Sequence, residues 1–563
     1  MNKILRIINK EFGNLGQAAL MLGLFNLLSQ VLGLFRDRSI AHFIGPGIEL
    51  DAYYSAFRIP DFIFVTISSL VSITVIIPFV LERMKNSEGD NKVSKEATDF
   101  ISQIFTVFLV TIVAISIIIF ILLPYIVHFT AGGFNPEMQH QVVLLSRIML
   151  LSPILLGLSN LFGTITQLFH RFFVYSLSPI FYNFGIIAGV IFFYPMWGIK
   201  GVAIGVVLGA VFHFLIQAIA SRMLGFSPRL TSKIDFSNIK KVLKTSLPRT
   251  LGLSANSMAL IIIVSFASFL TAGSISIFTF ANNLQTIPQG LIGISYAVAA
   301  FPLLARAYAS ENKSDFKKHL RTSARAIIFW TLPITVLFIV LRAQIVRVVL
   351  GTGSFSWEST RLVAASLALF SLSILAQSMI SLLSRAYYAT GETKRPLIIN
   401  VACSGFIILL SYVLIHIFNN FPFFRYFIES MFKVTDIPGT AILMLPLAYS
   451  LGTILNFVLH WVSVRKDFME GETFIFKSFF QSLGASFFIG GSAYITLYIL
   501  SPIFGTTTFI GVFLQGFLSG FVGIIVGGFV LYLLKNEELK ELIQTLKTKF
   551  WKAERILPSQ EEL

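Results

Sequence analysis

Residues 32–61 read LGLFRDRSIAHFIGPGIELDAYYSAFRIPD, and this stretch lies between two strongly apolar runs of the chain. Five of its charged residues are Arg36, Asp37, Asp51, Arg58 and Asp61. A charge at bilayer depth is costly, so it usually faces a water-filled cavity and marks a functional path. The stretch therefore predicts membrane helices whose charged residues line a polar route.

The composition of the chain indicates its class. Of the 563 residues, 55% are hydrophobic and 12% are charged, and the mean hydropathy is +0.80. A soluble domain carries roughly 25% charged residues. Apolar runs recur along the chain with the length of about 20 residues that a helix needs to cross the bilayer, and the alternating segments of a membrane β-barrel are not seen. We predict an all-α polytopic membrane protein.

We predict about fourteen membrane-spanning helices, an even number that places both termini on one side of the membrane. They lie near residues 17–35, 52–81, 101–130, 141–166, 174–196, 201–221, 246–270, 275–305, 323–350, 360–384, 397–418, 438–463, 478–500 and 507–534.

The distribution of Lys and Arg predicts the orientation. These residues concentrate in alternate connections, such as residues 222–249 and 306–325, whereas TAGGFNPEM (130–138) and LTAGSIS (270–276) contain none. The positive-inside rule places the basic connections and both termini in the cytoplasm. The net charge of +16 is therefore mostly a consequence of topology. No basic stripe on a soluble domain points to nucleic acid.

The division of the chain into two six-helix lobes followed by two extra helices is what a resemblance to a known family, given below, implies. The residues themselves predict that the connection 418–438 forms an aromatic hairpin at the extracytoplasmic interface. The predicted segments are an interfacial lead-in at 1–16, which lacks the features of a signal peptide, lobes at 17–222 and 246–464 joined by a cytoplasmic linker at 223–245, extra helices within 478–534, and a cytoplasmic amphipathic tail helix within 535–563.

The chain also contains an apparent internal repeat. FRIPDFIFVTISSLVSITVIIPFVLER resembles LQTIPQGLIGISYAVAAFPLLARAY, and the alignment matches Pro60 with Pro288 and Pro78 with Pro302. Chance similarity between apolar helices that contain proline is the alternative. Two halves in the same order predict parallel repeats that handle the substrate at their interface.

Catalytic and metal-binding motifs are missing from the sequence. The eight histidines are scattered, Cys403 is the only cysteine, and no Asp or Glu occurs between Asp235 and Glu311. No zinc-binding HExxH pattern or phosphate-binding loop is present. We therefore predict that the protein is not an enzyme and has no catalytic residue, no metal site and no cofactor.

The charges of the first two helices have two interpretations. In the first interpretation, these charges form a salt-bridge cluster that stabilises the bundle, with Arg58 bound to Asp61 and Arg36 bound to Asp51. Alternatively, the arginines form a cradle for an anionic substrate, because a guanidinium binds phosphate oxygens through two parallel hydrogen bonds. We predict that Arg36, Asp37, Asp51 and Arg58 are substrate-binding residues.

A second polar group lies around Pro288. Arg249 follows Pro248 at the expected start of the seventh helix, and amide side chains follow it along the next two helices. Amides in a wet cavity can bind sugar hydroxyls or peptide carbonyls, whereas their other use is hydrogen bonding between helices, worth about 0.6 kcal/mol each. We favour cavity lining and predict as site residues Arg249, Asn256, Asn282, Asn283 and Gln285.

Several segments resemble one known family. SQVLGLFRDRSIAHFIGPGIELDAYYSAFRIPD (29–61) is similar to the opening signature of the MurJ/MviN lipid II flippases, and FHRFFVYSLSPIFYN (169–183), the region 267–305 and YYATGETKRPLIIN (387–400) resemble later segments. The resemblance runs from about residue 16 to residue 534. It implies two six-helix lobes in a V, a groove formed by two C-terminal helices, and transport of undecaprenyl-pyrophosphate-linked peptidoglycan precursor by alternating access.

The resemblance also assigns roles to residues. Its central cavity arginine and aspartate match Arg36 and Asp37, and Asp51 and Arg58 match as well. Basic positions of the family fall on Gln30, Phe64 and Asn283 in this chain, and an aspartate falls on Asn282. Compensation for the missing arginines by Arg249, Arg38 or Arg58 is our hypothesis.

Three further expectations follow. The scarcity of carboxylates in the second half does not favour a sodium or proton site there. We therefore expect transport to depend on the membrane potential, which contributes about 2.3 kcal/mol per charge per 100 mV.

The expected partners are the lipid-linked precursor and membrane lipids, and an association with cell-wall synthesis enzymes stays open. Two alternatives are a flippase for another polyprenyl-linked saccharide and a non-transporting membrane scaffold for cell-wall synthesis.

Overall fold

The computed structural model describes residues 15–68, 80, 95–169, 171–226, 228–469, 475–505 and 508–550. Every regular element in these residues is a helix. The predicted all-α class is therefore confirmed. Most of the predicted lead-in lies outside the described residues.

We number the α-helices α1 to α21 in chain order. Their bounds are Leu15–Phe43, Ile48–Ser68, Lys95–Thr130, Pro136–Met149, Leu151–Leu168, Phe172–Ala188, Tyr194–Trp197, Ile199–Met223, Phe236–Ser268, Ser274–Pro288, Ser295–Ala309, Lys313–Val340, Arg342–Leu350, Trp357–Ser371, Ile374–Ala389, Lys394–Asn420, Pro422–Phe432, Met444–Phe468, Ile475–Phe504, Phe509–Leu533 and Glu537–Phe550. One-turn π-helical segments at Gly189–Phe193 and Gln289–Ile294 and a 3₁₀ turn at Thr440–Leu443 join some of them.

Many of these helices are suited to a membrane. In the described part of the chain, 11 helices are long and apolar enough to cross a bilayer, and a twelfth span is formed if α14 and α15, which meet at an angle of 42°, count as one. These twelve correspond to the last twelve spans predicted from the sequence. The first two predicted spans do not meet this criterion, and the second extends past residue 68, beyond what is described. The total of fourteen stays a prediction.

The start of α9 differs from the expectation. The sequence predicts a helix that begins near Pro248, but the helix begins at Phe236, within the predicted linker. The reason is a cap, since the Asp235 carboxylate accepts a hydrogen bond from the backbone N–H of Ser237 at 2.9 Å and so satisfies a free donor of the first turn. Arg249 therefore lies inside the helix rather than at its start.

The chain divides into two compact units. Unit 1 comprises residues 1–287, 349–370 and 392–456, and unit 2 comprises residues 288–348, 371–391 and 457–563. The lobe boundaries that the sequence predicts stay a prediction.

Glycines bring α6 and α8 of unit 1 into close contact. A Cβ atom added to Gly205 of α8 would lie 2.5 Å from the Cα of Gly189 and 2.9 Å from the carbonyl oxygen of Gly185, and one added to Gly209 would lie 2.4 Å from the carbonyl oxygen of Tyr182. Small residues of this kind allow the backbones of membrane helices to approach each other. The contact positions Asn183, which is discussed below.

This contact gives a stability prediction. We expect Gly205→Ala to destabilise the protein by about 1–3 kcal/mol, because the new methyl group meets backbone atoms that cannot move aside. Gly484→Ala in α19 is the matched control, since a Cβ there meets nothing within 4 Å and alanine favours the helix by about 1 kcal/mol. The thermal unfolding midpoint of each purified variant checks this. A Gly205→Ala midpoint equal to that of the control would contradict it.

Unit 2 is built around an apolar core and a docked tail helix. The core joins α11, α12 and α15 to the end of α18 and the start of α19, with Ile327 and Leu382 both fully buried. A helix runs from Glu537 to Phe550, within the predicted tail. Arg325 of α12 donates to Glu537 Oε2 and to Glu538 Oε1, both at 2.6 Å. The location of this helix on the cytoplasmic surface stays a prediction.

The connection between α16 and α18 in unit 1 contains the short helix α17. Arg361 of α14 bonds both carboxylate oxygens of Asp436 at 2.7 and 2.8 Å and also donates to the Lys433 carbonyl. These hydrogen bonds hold the pKa of Asp436 below its usual range. Phe423 and Tyr426 of α17 are 84% and 67% exposed, and the location of this connection at the membrane interface stays a prediction.

Candidate substrate-binding site

The site is organised by Arg36, which lies in the last third of α1. Its guanidinium folds back on the neighbouring residue, so that Nε and Nη2 donate to Asp37 Oδ1 at 3.0 and 2.8 Å. The Asp37 carboxylate is 5% exposed, whereas the Arg36 side chain is 24% exposed. A paired carboxylate of this kind offsets the cost of holding an arginine charge partly away from water.

Two asparagines from other helices complete the network. Asn283 of α10 donates through Nδ2 to Asp37 Oδ2 at 3.0 Å. Asn183 of α6 accepts from Arg36 Nη1 at 3.2 Å, while its own Nδ2 donates to the carbonyl of Pro179 at 3.1 Å. That second bond orients the amide with its oxygen towards Arg36. The network thus joins three helices that are far apart in the sequence.

A half-open pocket of about 250 Å³ lies beside the network. It is lined by Gln30, Gly33, Leu34, Arg36, Asp37, Asn283, Thr286 and Ile287. A guanidinium has five N–H donors, and three of those of Arg36 are engaged by Asp37 and Asn183. Two N–H groups therefore have no partner among the described residues and remain for a ligand. The combination of a guanidinium, amides and a hydroxyl suits an anionic group attached to a polar, uncharged body.

Asp51 lies elsewhere and has other partners. It is 2% exposed, and its carboxylate accepts from the N–H of Gly273 at 2.7 Å and from the N–H and hydroxyl of Ser276 at 2.8 and 2.5 Å. These donors form the N-terminus of α10, where a negative charge is favourable. The Arg36–Asp51 pair of the salt-bridge interpretation is therefore not formed, because Asp51 binds α10 and Arg36 binds Asp37.

The remaining predicted residues are dispersed. Arg58 approaches the Thr279 hydroxyl at 3.5 Å, the outer limit of a hydrogen bond. Gln285 is fully buried and donates to Asn282 at 3.3 Å, which is bonding within α10. Asn256 is exposed on α9 and does not line the pocket.

The structure also bears on the compensation hypothesis. Arg38 donates to the carbonyl of Val349 at 3.2 Å and is not among the pocket-lining residues. The side chain of Arg249 lies outside the described residues. Compensation by Arg249 stays a prediction.

Asn183 and Thr286 are site residues that the sequence analysis did not identify. Asn183 is the last residue of FHRFFVYSLSPIFYN, and its place at the end of a motif that contains a proline is the one signal that the sequence carries. Thr286 lies beside the predicted amides of α10, but an isolated threonine in a helix carries no specific signal.

Comparison with known proteins identifies one family of similar sequences. The chain matches the model of the family described as "Lipid II flippase MurJ" over residues 40–514. The probable lipid II flippase MurJ of Buchnera aphidicola subsp. Schizaphis graminum is 27% identical over 492 residues, covering 84% of this chain and 89% of that protein. The lipid II flippase MurJ of Burkholderia cenocepacia is 25% identical, covering 68% and 75% respectively.

Solved structures share the fold. A lipid II flippase MurJ in an inward closed conformation has a TM-score of 0.70 at 22% identity, over 93% of this chain and all of that one. An inward-facing multidrug resistance MATE family transporter of the MOP superfamily has a TM-score of 0.61 at 16% identity, over 78% and 94%. The family model covers well over half of the chain, and the chain therefore belongs to the lipid II flippase MurJ family.

Proposed function

We propose that this protein moves lipid II, the undecaprenyl-pyrophosphate-linked peptidoglycan precursor, from the inner to the outer leaflet of the bacterial cytoplasmic membrane. The observation that carries the proposal is the pocket beside Arg36, in which a charged group with two free N–H donors faces a cavity among apolar helices. A charged side chain among apolar membrane helices usually faces a functional path, and the two N–H groups that Arg36 keeps available suit an anionic ligand.

Each polar side chain of the site can be assigned the part of the substrate that it would bind. The two free N–H groups of Arg36 bind oxygens of the diphosphate, since charge-assisted hydrogen bonds from arginine to phosphate are strong. Asp37 and Asn183 hold the guanidinium in place. Asn283 and Thr286 offer uncharged groups to the sugar hydroxyls or peptide amides. We take Arg58 and Arg249 as further basic groups for the anionic headgroup.

Alternating access requires a contact that forms in one conformation and breaks in the other. The bonds from Asp51 of α2 to the start of α10 suit this role, because α2 and α10 come from the two halves of the proposed repeat. Asp51 is 2% exposed, and we infer that its bonds close one end of the substrate route in this arrangement. Opening that end separates the carboxylate from Gly273 and Ser276 and exposes all of them to water, which replaces their hydrogen bonds.

The proposal includes an orientation and partners. Both termini lie in the cytoplasm, in line with the distribution of Lys and Arg in the connections and the positive-inside rule. Membrane lipids surround the helices, and cell-wall synthesis enzymes that supply or consume lipid II are the partners that this activity needs.

Rescue of a strain depleted of its own lipid II flippase tests the function. We expect the wild-type protein to restore growth and to prevent the accumulation of lipid II in the inner leaflet, measured by accessibility of the headgroup to an external reagent. Rescue of growth with unchanged inner-leaflet lipid II would favour a scaffold. Neither effect, in a strain that contains the protein in its membrane, would refute the proposal.

A second candidate is transport of another polyprenyl-linked saccharide. The neutral Gln30 and Asn283 in the pocket favour it, because fewer positive charges bind a diphosphate less strongly. Proteoliposomes that contain either lipid II or a saccharide linked to a polyprenyl monophosphate, which carries less negative charge, distinguish the two. Faster movement of the second lipid would select this candidate.

The source of energy gives a further prediction. We expect export to slow when a potential, negative on the cytoplasmic side, is collapsed with valinomycin and potassium, since moving one negative charge outward gains about 2.3 kcal/mol per 100 mV. Replacing sodium with choline should leave the rate unchanged. A rate that follows sodium and ignores the potential would contradict this prediction.

A further inference from the structure

Asp61 differs from the two other aspartates of the first two helices. Asp37 and Asp51 are 4% and 2% exposed, and each accepts three hydrogen bonds. Among the residues that the structure describes, Asp61 has no hydrogen bond and no ion pair. Its neighbour Arg58, one turn earlier in α2, turns instead towards the Thr279 hydroxyl. Asp61 is therefore a partly buried carboxyl that the substrate site does not use.

A small cavity lies against this carboxyl. Its volume is about 20 Å³, which is room for one water molecule. The lining is mostly apolar and consists of Phe57, Pro60, Asp61, Phe64, Met149, Ser152, Pro153, Leu156, Tyr182 and Val206. Only the hydroxyls of Ser152 and Tyr182 offer the carboxyl polar side-chain contacts across the cavity.

The chemistry of this cavity selects among possible ligands. A sodium or divalent ion needs about six oxygen ligands or several carboxylates, and the described residues contain no cluster of three or more acidic, histidine or cysteine side chains. An isolated ionised carboxylate in apolar surroundings is costly and is neutralised by binding a proton. A protonated carboxyl can then donate to a single water or hydroxyl. The cavity thus suits a proton.

The charged groups around Asp61 allow its protonation to respond to conformation. Among the described residues, Arg58 on α2 is the one charge that acts on it, and Tyr182 on α6 is the one titratable group that faces it across the cavity. The sides of α4, α5 and α8 that line the cavity present no titratable group. Helix α9 meets α2 at the Thr66–Ser254 hydrogen bond of 2.9 Å, and the side chain of its nearest arginine lies outside the described residues.

We propose that Asp61 is a proton-binding site that couples the conformation of unit 1 to a pH difference across the membrane. The protonated carboxyl is stable in the small cavity seen here. The ionised carboxylate requires more water or contact with Arg58, and separation of α2 from α5 and α6 would supply either. Proton binding and release would therefore favour different arrangements of these helices. The coupling to transport rests on the proposed function, whereas the proton site does not.

Infrared difference spectroscopy of the purified full-length protein during a pH titration tests the site directly. We expect a band of a protonated carboxyl in the wild type that disappears in Asp61→Asn and is retained, at a shifted frequency, in Asp61→Glu. Glu358→Gln, which removes an exposed carboxylate at the start of α14, should leave the band unchanged. A band that persists in Asp61→Asn would overturn the proposal.

Transport measurements then test the coupling. In proteoliposomes with the potential clamped at zero, we expect a pH gradient to change the movement of fluorescent lipid II by about fivefold or more in the wild type and not in Asp61→Asn. An equal response of both proteins would refute the coupling. If no variant moves lipid II but the infrared band depends on Asp61, the proton site stands and the proposed substrate is wrong.

Discussion

Arg36→Ala is expected to reduce lipid II transport by about 100-fold or more in proteoliposomes. The variant loses two charge-assisted hydrogen bonds to the diphosphate, each worth roughly 1.5–3 kcal/mol. It also leaves Asp37 as a buried carboxylate without its arginine, bound through Asn283 alone among the partners seen here. The rate at which fluorescent lipid II becomes accessible to an external reagent measures the effect.

Arg36→Lys separates charge from geometry. Lysine keeps the positive charge but lacks the planar fork that bonds Asp37 and Asn183 together. We expect it to recover only part of the lost rate. Arg147→Ala is the matched control, since Arg147 packs over the Phe120 ring and does not line the pocket, and it should retain the wild-type rate within about twofold. Full activity of Arg36→Ala at normal protein level would exclude Arg36 as the substrate ligand.

The membrane makes much of this fold predictable from the sequence. A helix in a bilayer satisfies its own backbone hydrogen bonds and needs about 20 apolar residues, so the length of the apolar runs predicts the helices from Glu96 to Leu533 with small errors at their ends. The starts of α9 and α12 are the exceptions, because these helices begin at Phe236 and Lys313, ten residues before the predicted spans. The first turn of α9 is polar, is capped by Asp235 and lies outside the apolar run, so the hydropathy pattern does not predict it.

The site is less predictable, because its contacts join distant parts of the chain. Charge at bilayer depth identifies Arg36 and Asp37 from the sequence alone. Asn183 is 147 residues from Arg36, and nothing local indicates that α6 delivers it there. The distinct role of Asp51 depends on the position of the N-terminus of α10, which the sequence also leaves open.

The second large effect is expected at Asp51. We expect Asp51→Ala to destabilise the protein by about 2–6 kcal/mol, because it leaves two buried N–H groups without an acceptor and each such group costs roughly 1–3 kcal/mol. The N–H groups of Gly273 and Ser276 lose their acceptor in a site that is closed to water. A large fall in the thermal unfolding midpoint, with loss of transport, is the expected measurement.

Two further variants show whether the three bonds act together. Ser276→Ala removes the hydroxyl and leaves both backbone donors bound, so its effect should be a fraction of that of Asp51→Ala. Asp51→Asn keeps the size of the side chain but turns an amide towards N–H donors, and we expect it to behave more like alanine than like aspartate. If Asp51→Asn kept full stability and transport, shape rather than charge would hold α2 to α10. The carboxylate would then have no part in closing the site.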